Sequence, residues 1–255
     1  GIKYGFNASV PAGTFYWKSY ANDSFGNLNF TNSQMFTITK ANNTINLYIN
    51  GNQTNATLSY GTQTNVTAID GNWDVFLYKN SELINGTVDI SVLGAGIYNY
   101  TAIIQESENV SGASKTLFVN ISKALPILNM IIDGSPADKT TIYGTQTNAT
   151  GFKGSTGDED LTYTLFKNND PISSGESVSD FGVQGVGSYI YIYNTSGGQN
   201  YTFRSVSRNL TINKAVPQLN LSVNGIESNQ SQIYGNASNV TAIITDSSLA
   251  ITLKR

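Results

Sequence analysis

The sequence contains no cysteine and no histidine among its 255 residues. Without cysteine the chain has no disulfide bond and no thiolate nucleophile, and redox usage does not indicate its compartment. Without histidine it lacks the commonest general base and the commonest transition-metal ligand. These absences exclude most nucleophilic and zinc-dependent active sites, so we expect neither an enzyme nor a bound cofactor.

Charge is also scarce, since Asp, Glu, Lys and Arg make up 12% of the chain and the formal net charge is −3. Such a chain lacks the basic surface that neutralises phosphates, which excludes a nucleic-acid partner. No apolar run approaches the ~20 residues of a membrane helix, so we expect no membrane span in this segment. Hydrophobic residues nevertheless reach 39% and aromatic residues 11%, enough for a packed core.

The chain repeats itself at intervals of 83 and 91 residues. The stretch "YGTQTN" at Tyr60 returns unchanged at Tyr143, and "YGNASN" follows at Tyr234. Three further landmarks recur in the same order: the Lys-Ala pairs, an Asx-Gly turn, and a Gly-x-aromatic motif. Their first residues are Lys40, Lys123 and Lys214; Asn50, Asp133 and Asn224; and Gly13, Gly96 and Gly187. Recurrence of several landmarks at fixed intervals indicates a tandem array.

The recurrences predict four segments. Residues 1–40 hold the C-terminal half of a repeat, 41–123 and 124–214 are complete repeats, and 215–255 hold the N-terminal half of another. Two interpretations remain open. Either the sequence is a window from a longer repetitive protein, or the half-repeats of different copies complete each other head to tail by strand donation.

Each repeat shows apolar residues at period two in short runs separated by Gly, Asn, Asp and Ser, which is the pattern of β-strands. In 41–123 this pattern predicts the buried faces Ile45, Leu47 and Ile49; Val66 and Ala68; Tyr98 and Tyr100; and Leu117, Val119 and Ile121. No window has the 3.6-residue period of a helix. Six or seven strands in this length predict an all-β fold of tandem antiparallel two-sheet sandwiches.

Two recurrent motifs have structural explanations within such a sandwich. In "YGTQTN" the Tyr packs at the sandwich end and the Gly permits a turn that a Cβ would crowd. The Gly-x-aromatic motif opens the penultimate strand, where immunoglobulin-like sandwiches carry a tyrosine whose hydroxyl bonds back to the chain. Tyr98 and Tyr189 suit that role, whereas Phe15 in the first segment lacks the hydroxyl.

The order "KALPIL" or "KAVPQL", then "YGTQTN", then "GSYIY" and "TSGGQNYT", resembles the Ig-like repeats of large bacterial and archaeal cell-surface proteins. The resemblance covers the whole chain. Residues 41–123 depart from it, with "NNTINL" lacking the proline and "QESENVSGASKT" replacing the "GGQNYT" stretch. The resemblance implies Ig-like modules in an extracellular stalk, adhesin or envelope layer.

Acceptor triplets Asn-x-Ser/Thr are the second strong signal. There are nineteen, whereas random placement of 31 Asn among 54 Ser and Thr would give about seven. They begin at Asn7, Asn22, Asn29, Asn42, Asn52, Asn55, Asn65, Asn85, Asn99, Asn109, Asn120, Asn148, Asn194, Asn200, Asn209, Asn220, Asn229, Asn236 and Asn239. Turn and strand preferences of Asn and Thr explain part of the excess, and N-glycosylation of a secreted chain explains the rest. Asn99 is expected to point away from the core, because it lies between Tyr98 and Tyr100.

Acidic residues are sparse and mostly change between repeats, as surface residues do. Asp158, Glu159 and Asp160 form the one acidic cluster and are a weak candidate for Ca²⁺, although the Asp-x-Asp-x-Asp-Gly spacing is missing. A solvated loop is the alternative.

The sequence thus predicts a non-enzymatic structural module of a glycosylated extracellular cell-surface protein. The alternative is an adhesin or carbohydrate-binding repeat whose partners are cell-surface glycans or proteins. An exposed aromatic patch would favour the alternative, but Tyr189, Tyr191 and Tyr193 alternate on one strand and suit a core.

Overall fold

A computed structural model describes residues 3–71, 73–154, 158–244 and 250–254. It divides into two compact units, Gly1–Leu125 with Gly197–Thr202, and Pro126–Ser196 with Phe203–Arg255. The described residues form β-strands and no helix, so the all-β prediction is confirmed. The repeat limits 41–123 and 124–214 stay a prediction. They were drawn from recurring motifs, whereas the two compact units are defined by contacts within the fold.

The first segment forms two hairpins, in which β1 pairs with β4 and β2 with β3, both antiparallel. The strands are β1 (Gly13–Trp17), β2 (Tyr20–Asn22), β3 (Leu28–Phe30) and β4 (Gln34–Ile38).

The segment 41–123 forms eight strands in two sheets, ordered β10-β7-β5 and β6-β12-β11-β8-β9. They are β5 (Asn46–Ile49), β6 (Ala56–Ser59), β7 (Gln63–Ile69), β8 (Phe76–Lys79), β9 (Glu82–Leu83), β10 (Val88–Val92), β11 (Gly96–Ile104) and β12 (Ala113–Ser122). The prediction of six or seven strands was too low, because the first edge strand is divided into two strands, β5 and β6, that lie in different sheets. Its β5 half joins one sheet, and its β6 half crosses to the other and pairs in parallel with β12.

The segment 124–214 repeats this topology strand for strand, with sheets β13-β15-β18 and β14-β20-β19-β16-β17. Its strands are β13 (Leu128–Ile132), β14 (Lys139–Ile142), β15 (Gln146–Lys153), β16 (Tyr163–Lys167), β17 (Asp170–Ser174), β18 (Ser177–Val183), β19 (Gly187–Thr195) and β20 (Arg204–Asn213). Register is also preserved, since Gly96 pairs with Ile121 and Gly187 with Ile212, 91 residues later in both strands. The last segment contributes the antiparallel pair β21 (Leu219–Val223) and β22 (Val240–Ile244).

The core of each complete repeat lies between its two sheets. In 41–123 the residues predicted to be buried are buried, except that Tyr98 is half-buried against the core. They are Ile45, Leu47, Ile49, Val66, Ala68, Tyr100, Leu117, Val119 and Ile121. In 124–214, Tyr191 and Tyr193 are fully buried, so the alternating tyrosines are core residues and not a binding surface.

The Asx-Gly turns are held by one arrangement that occurs three times. Asn50 (φ 48°) and Gly51 (φ 81°) take the left-handed conformation that a tight hairpin turn requires. The Asn50 amide then donates to the Asn65 carbonyl at 2.8 Å, and its side-chain Oδ1 accepts from the Asn65 amide at 2.8 Å. The pairs Asp133–Asn148 and Asn224–Asn239 make the same two bonds. These two hydrogen bonds fix the register of β5 with β7, of β13 with β15 and of β21 with β22.

The predicted tyrosine at the start of the penultimate strand is confirmed in both complete repeats. The Tyr98 hydroxyl donates to the Gly94 carbonyl at 3.0 Å, and the Tyr189 hydroxyl donates to the Gly185 carbonyl at 2.9 Å. Each bond ties the strand to the corner that precedes it, as in immunoglobulin-like sandwiches.

Candidate functional site: repeat junctions, acceptor asparagines and a cavity

A loop contact joins the first segment to the repeat that follows it. The loop between β11 and β12 returns to Ala41, whose amide donates to the Asn109 carbonyl at 2.8 Å. The Ser111 amide donates in turn to the Ala41 carbonyl at 3.0 Å. The side-chain Oδ1 of Asn109 accepts a 2.7 Å hydrogen bond from the amide of Ala12, which precedes β1. One loop residue therefore holds both sides of the Lys-Ala pair.

The same contacts recur within the first compact unit around Ala124. The Ala124 amide donates to the Asn200 carbonyl at 2.9 Å, and the Thr202 amide donates to the Ala124 carbonyl at 2.9 Å. The Asn200 Oδ1 accepts from the Ala95 amide at 2.7 Å. Ala12 and Ala95 are 83 residues apart and Asn109 and Asn200 are 91 apart, so this contact follows the repeat.

Lysine and tyrosine add to each contact in different ways. Lys40 pairs with Glu106, and this hydrogen bond holds the pKa of Glu106 below its ordinary value. Both side chains are exposed, so the ion pair contributes little. Lys123 instead donates to the Gly198 carbonyl at 2.6 Å, and the Tyr201 ring meets Tyr60 edge-on at 5.4 Å between centroids.

The tyrosine of "YGTQTN" was predicted to pack at the sandwich end, which is correct for one copy only. Tyr60 is half-buried beneath Tyr201, whereas Tyr143 and Tyr234 are exposed. Burial of this tyrosine thus depends on a neighbouring loop and not on its own turn. The prediction for the glycine is correct, because Gly61, Gly144 and Gly235 all have φ between 88° and 100°.

A partly buried polar network links the two sheets of each complete repeat. In 41–123, Asp89 on β10 accepts from the Tyr100 hydroxyl on β11 at 2.7 Å and from Lys79 on β8 at 3.0 Å. Burial raises the pKa of Asp89, but the bonds from Tyr100 and Lys79 outweigh it and hold this pKa below its ordinary value. Burial and the Asp89 carboxylate raise the pKa of Tyr100 well above its ordinary value. The network therefore stays as a neutral phenol bonded to a carboxylate, which suits cohesion and not proton transfer.

The second repeat has the same network, in which Asp180 Oδ2 accepts from the Tyr191 hydroxyl at 2.6 Å and lies 3.0 Å from Lys167 Nζ. Asp89 and Asp180 are 91 residues apart. The expectation that acidic residues behave as surface residues is wrong at these two positions. Their recurrence at the repeat interval was the signal that could have identified them.

None of the nineteen acceptor asparagines is buried. Asn99, Asn148, Asn194 and Asn200 are half-buried and the other fifteen are exposed. Several amide oxygens have structural roles, as in Asn55, whose Oδ1 accepts from the Phe118 amide at 2.9 Å. Glycans attach to Nδ2, however, and Asn209 uses that atom to donate to Asp138 at 2.9 Å. Glycosylation at these positions stays a prediction.

A cavity of about 680 Å³ opens at the edge of the sandwich formed by 41–123. It lies beside the end of β7 and the loop that leads into β8, and its walls include Ile69, Trp73, Phe76 and Leu83. Trp73, Asp74 and Phe76 also line a second cavity of about 330 Å³. Sequence reasoning missed both cavities, because they result from a gap between strands and not from a motif.

The acidic cluster Asp158, Glu159 and Asp160 lies in a turn, where the Leu161 amide donates to the Asp158 carbonyl at 3.2 Å. Across the part of the chain that the structure describes, no three Asp, Glu, His or Cys side chains gather into a group that could hold a metal ion. The calcium candidate remains an untested hypothesis. Over the same residues, no helix is long and apolar enough to cross a membrane.

No family model matches the chain, and no curated protein matches it. Among solved structures, the fibronectin(III)-like modules of Clostridium thermocellum CbhA are 12% identical, over 66% of this chain and 94% of theirs, with a TM-score of 0.29. The first eight Ig domains of Down Syndrome Cell Adhesion Molecule are 11% identical, over 83% of this chain and 34% of theirs, with a TM-score of 0.28. Parabacteroides merdae β-glucuronidase is 9% identical, over 65% of this chain and 24% of the enzyme, with a TM-score of 0.26. The sheets described above establish the Ig-like sandwich fold, and these remote likenesses assign no activity.

Proposed function

We propose that this chain is a non-enzymatic structural segment of an extracellular cell-surface protein, a stalk, filament or envelope layer built of Ig-like repeats. The observation that carries the proposal is the repeated loop contact, in which Asn109 and Asn200 accept from Ala12 and Ala95 at the same 2.7 Å. A chain of independent modules on flexible linkers has no need to preserve such a bond from copy to copy. A structural array does, because each such contact orders the chain around a Lys-Ala pair, as at Lys40-Ala41 and Lys123-Ala124.

Glycosylation of the acceptor asparagines is part of the proposal. Fifteen of the nineteen are exposed, and a sugar coat would keep a surface with only 12% charged residues soluble. Prokaryotic origin belongs to the proposal as well and is supported by the resemblance of the repeat motifs.

The partners we propose are neighbouring repeats or further copies of this chain. In the first segment Trp17 is 42% exposed, whereas Tyr100, at the corresponding position of the complete repeat, is fully buried. In the last segment Leu219 is 59% exposed, whereas the corresponding Leu128 is 5% exposed. Neighbouring repeats, or head-to-tail strand complementation between copies, would bury both faces.

Two measurements test the proposal. Antibodies raised against residues 41–214 should label intact cells of the source organism, and labelling only after lysis would refute the surface location. Analytical ultracentrifugation should show association that grows with protein concentration, and a monomer at every concentration would refute strand complementation while leaving the surface role intact.

The second candidate is a binding repeat for cell-surface glycans or proteins. The specific observation in its favour is the cavity that contains Trp73, since partly exposed aromatic side chains in a concave site are typical of ligand binding. Binding of immobilised glycans by the unglycosylated chain, lost in Trp73→Ala, would support this candidate over a purely mechanical role.

A further inference from the structure

The cavity in 41–123 exists because one sheet separates earlier there than in the next repeat. The β15–β18 ladder continues to the pair Phe152–Ser177, and the Lys153 amide then donates to the Glu176 carbonyl at 2.8 Å. The β7–β10 ladder ends at the pair Thr67–Val88, two pairs before the position that corresponds to Phe152–Ser177. One further bond joins the Ala68 amide to the Thr87 carbonyl at 2.9 Å, and the cavity opens beside the residues that follow it.

The side chains at the opening of the cavity differ between the two repeats, and an ion pair of the second repeat has no counterpart in the first. In the second repeat Lys153 and Glu176 form an ion pair across the gap. The corresponding residues of the first repeat, by the intervals of 83 and 91, are Asp70 and Asn85. Asp70 Oδ2 is buried and has no hydrogen-bond partner among the described residues. An unsatisfied buried carboxylate oxygen is unfavourable, so among the described residues Asp70 does not replace the ion pair that Lys153 forms in the second repeat.

The cavity combines apolar walls with oxygen acceptors. Trp73 is 44% exposed and Leu83 is 59% exposed, and both line it together with Asp70 and Asp74. A sugar ring has a face of C–H groups that packs on an indole and a rim of hydroxyls that donate to carboxylates. The volume of about 680 Å³ lies within the ~300–1,000 Å³ of small-molecule sites.

The source of such a sugar lies on the cavity wall itself. Asn85 is exposed, lines the cavity, and begins the acceptor triplet Asn85-Gly86-Thr87. The corresponding residue of the second repeat, Glu176, begins no triplet, and there the ion pair closes the gap instead. We infer that the first sugars of an N-linked glycan on Asn85 occupy this cavity and stack on the exposed face of Trp73. The glycan thus replaces the ion pair of the other repeat, and this inference rests on the proposed glycosylation.

The test compares Thr87→Ser, which keeps the acceptor triplet, with Thr87→Ala, which removes it and leaves Asn85 in place. Both are made in a Trp17→Phe background, so that Trp73 is the single tryptophan, and are secreted from an N-glycosylating host. Glycopeptide mass spectrometry measures occupancy at every acceptor. Acrylamide quenching of fluorescence measures the access of solvent to Trp73.

With Asn85 occupied, we expect the quenching constant of Trp73 in Thr87→Ser to be about half that in Thr87→Ala. Asn120→Gln removes an exposed acceptor on β12 away from the cavity, so it should leave the quenching constant of Trp73 unchanged. Equal quenching despite an occupied Asn85 would overturn the inference, as would an empty Asn85 beside other occupied acceptors. Occupancy at no acceptor would refute the proposed glycosylation as well. If Thr87→Ala instead bound soluble N,N′-diacetylchitobiose at Trp73 and occupied Asn85 gave no shielding, the occupant would be an external sugar.

Discussion

Gly151 on β15 lies against the ring of Tyr193 on β19, and this contact predicts an unusual sign for a Gly→Ala substitution. Gly151 is not in the left-handed region, so alanine fits its backbone, and such a change would ordinarily stabilise by about 0.4–1 kcal/mol. A Cβ at this position, however, would lie 2.5 Å from Cγ and Cδ2 of Tyr193 and 2.8 Å from its Cβ. Because the overlap is with the root of the side chain, rotation of the ring does not relieve it.

Tyr193 is also held at its other end. Its hydroxyl lies 2.8 Å from the Gly175 carbonyl and 3.0 Å from the Glu176 carbonyl, and its ring stacks on Tyr163 at 6.0 Å. Overpacking of this kind costs about 1–3 kcal/mol, and displacing the hydroxyl adds about 1 kcal/mol. After the entropic gain is subtracted, Gly151→Ala should lower the free energy of unfolding by about 1–3.5 kcal/mol.

Hydrogen exchange of β15 and β19 peptides measures this change, which corresponds to roughly 5- to 300-fold faster exchange of globally protected amides. Fluorescence serves as the internal control, because Trp17 and Trp73 both lie in the other compact unit and should not respond. Tyr193→Ala alone should cost about 3–5 kcal/mol. The double variant should cost no more than Tyr193→Ala, since the added methyl group then enters vacated space. A neutral or stabilising Gly151→Ala would refute the reasoning, and so would additive costs in the double variant.

Three further predictions concern the partly buried network and the loop contact. Tyr100→Phe should destabilise its unit by about 1.5–3 kcal/mol, because Asp89 loses a charge-assisted hydrogen bond, whereas Tyr98→Phe should destabilise it by about 1 kcal/mol. Urea unfolding followed by tryptophan fluorescence compares the two variants, and equal losses of stability would contradict this ranking. The pKa of Tyr100 is raised in the folded state, so the unfolded chain releases its proton first and stability should fall by about 1.4 kcal/mol per pH unit above pH ~10. Urea midpoints measured through that range should decline more steeply than in Tyr100→Phe, and parallel curves would argue against a buried phenol. Asn200→Ala should speed exchange of the Ala95 amide about tenfold by removing its acceptor, and an unchanged amide would show that the 2.7 Å bond is not maintained in solution.

Much of the sandwich could be predicted from the sequence because its determinants are local. Period-two runs specify which side chains face inward, so Leu47, Val66 and Val119 were correctly placed in the core. The left-handed conformation of each Asx-Gly pair and the hydrogen bond of the penultimate-strand tyrosine depend on residues within a few positions of each other. A local pattern of this kind is visible in one repeat, and recurrence in the next repeat confirms it.

The remaining features depend on pairings that no local pattern shows. The variation of most acidic residues between repeats did not identify Asp89, because only the fold brings it between Tyr100 and Lys79 on the opposite sheet. Asn109 was identified as a glycan acceptor, while the role of its amide oxygen toward Ala12 required the course of a loop. The cavity beside Trp73 was missed for the same reason, since it depends on where a ladder ends.

The contact between Gly151 and Tyr193 also has a consequence for biosynthesis. Neighbouring modules of similar sequence can exchange strands while they fold, and the shared "YGTQTN" makes that error easy at the start of the second strand. At the positions corresponding to Gly151 and Tyr193, however, the module 41–123 carries Ala68 and Ala102. A swapped strand would set Ala68 against the phenol ring or leave a void between Gly151 and Ala102. A module with an exchanged strand would therefore pack less well than the native module, which favours pairing of each strand within its own module.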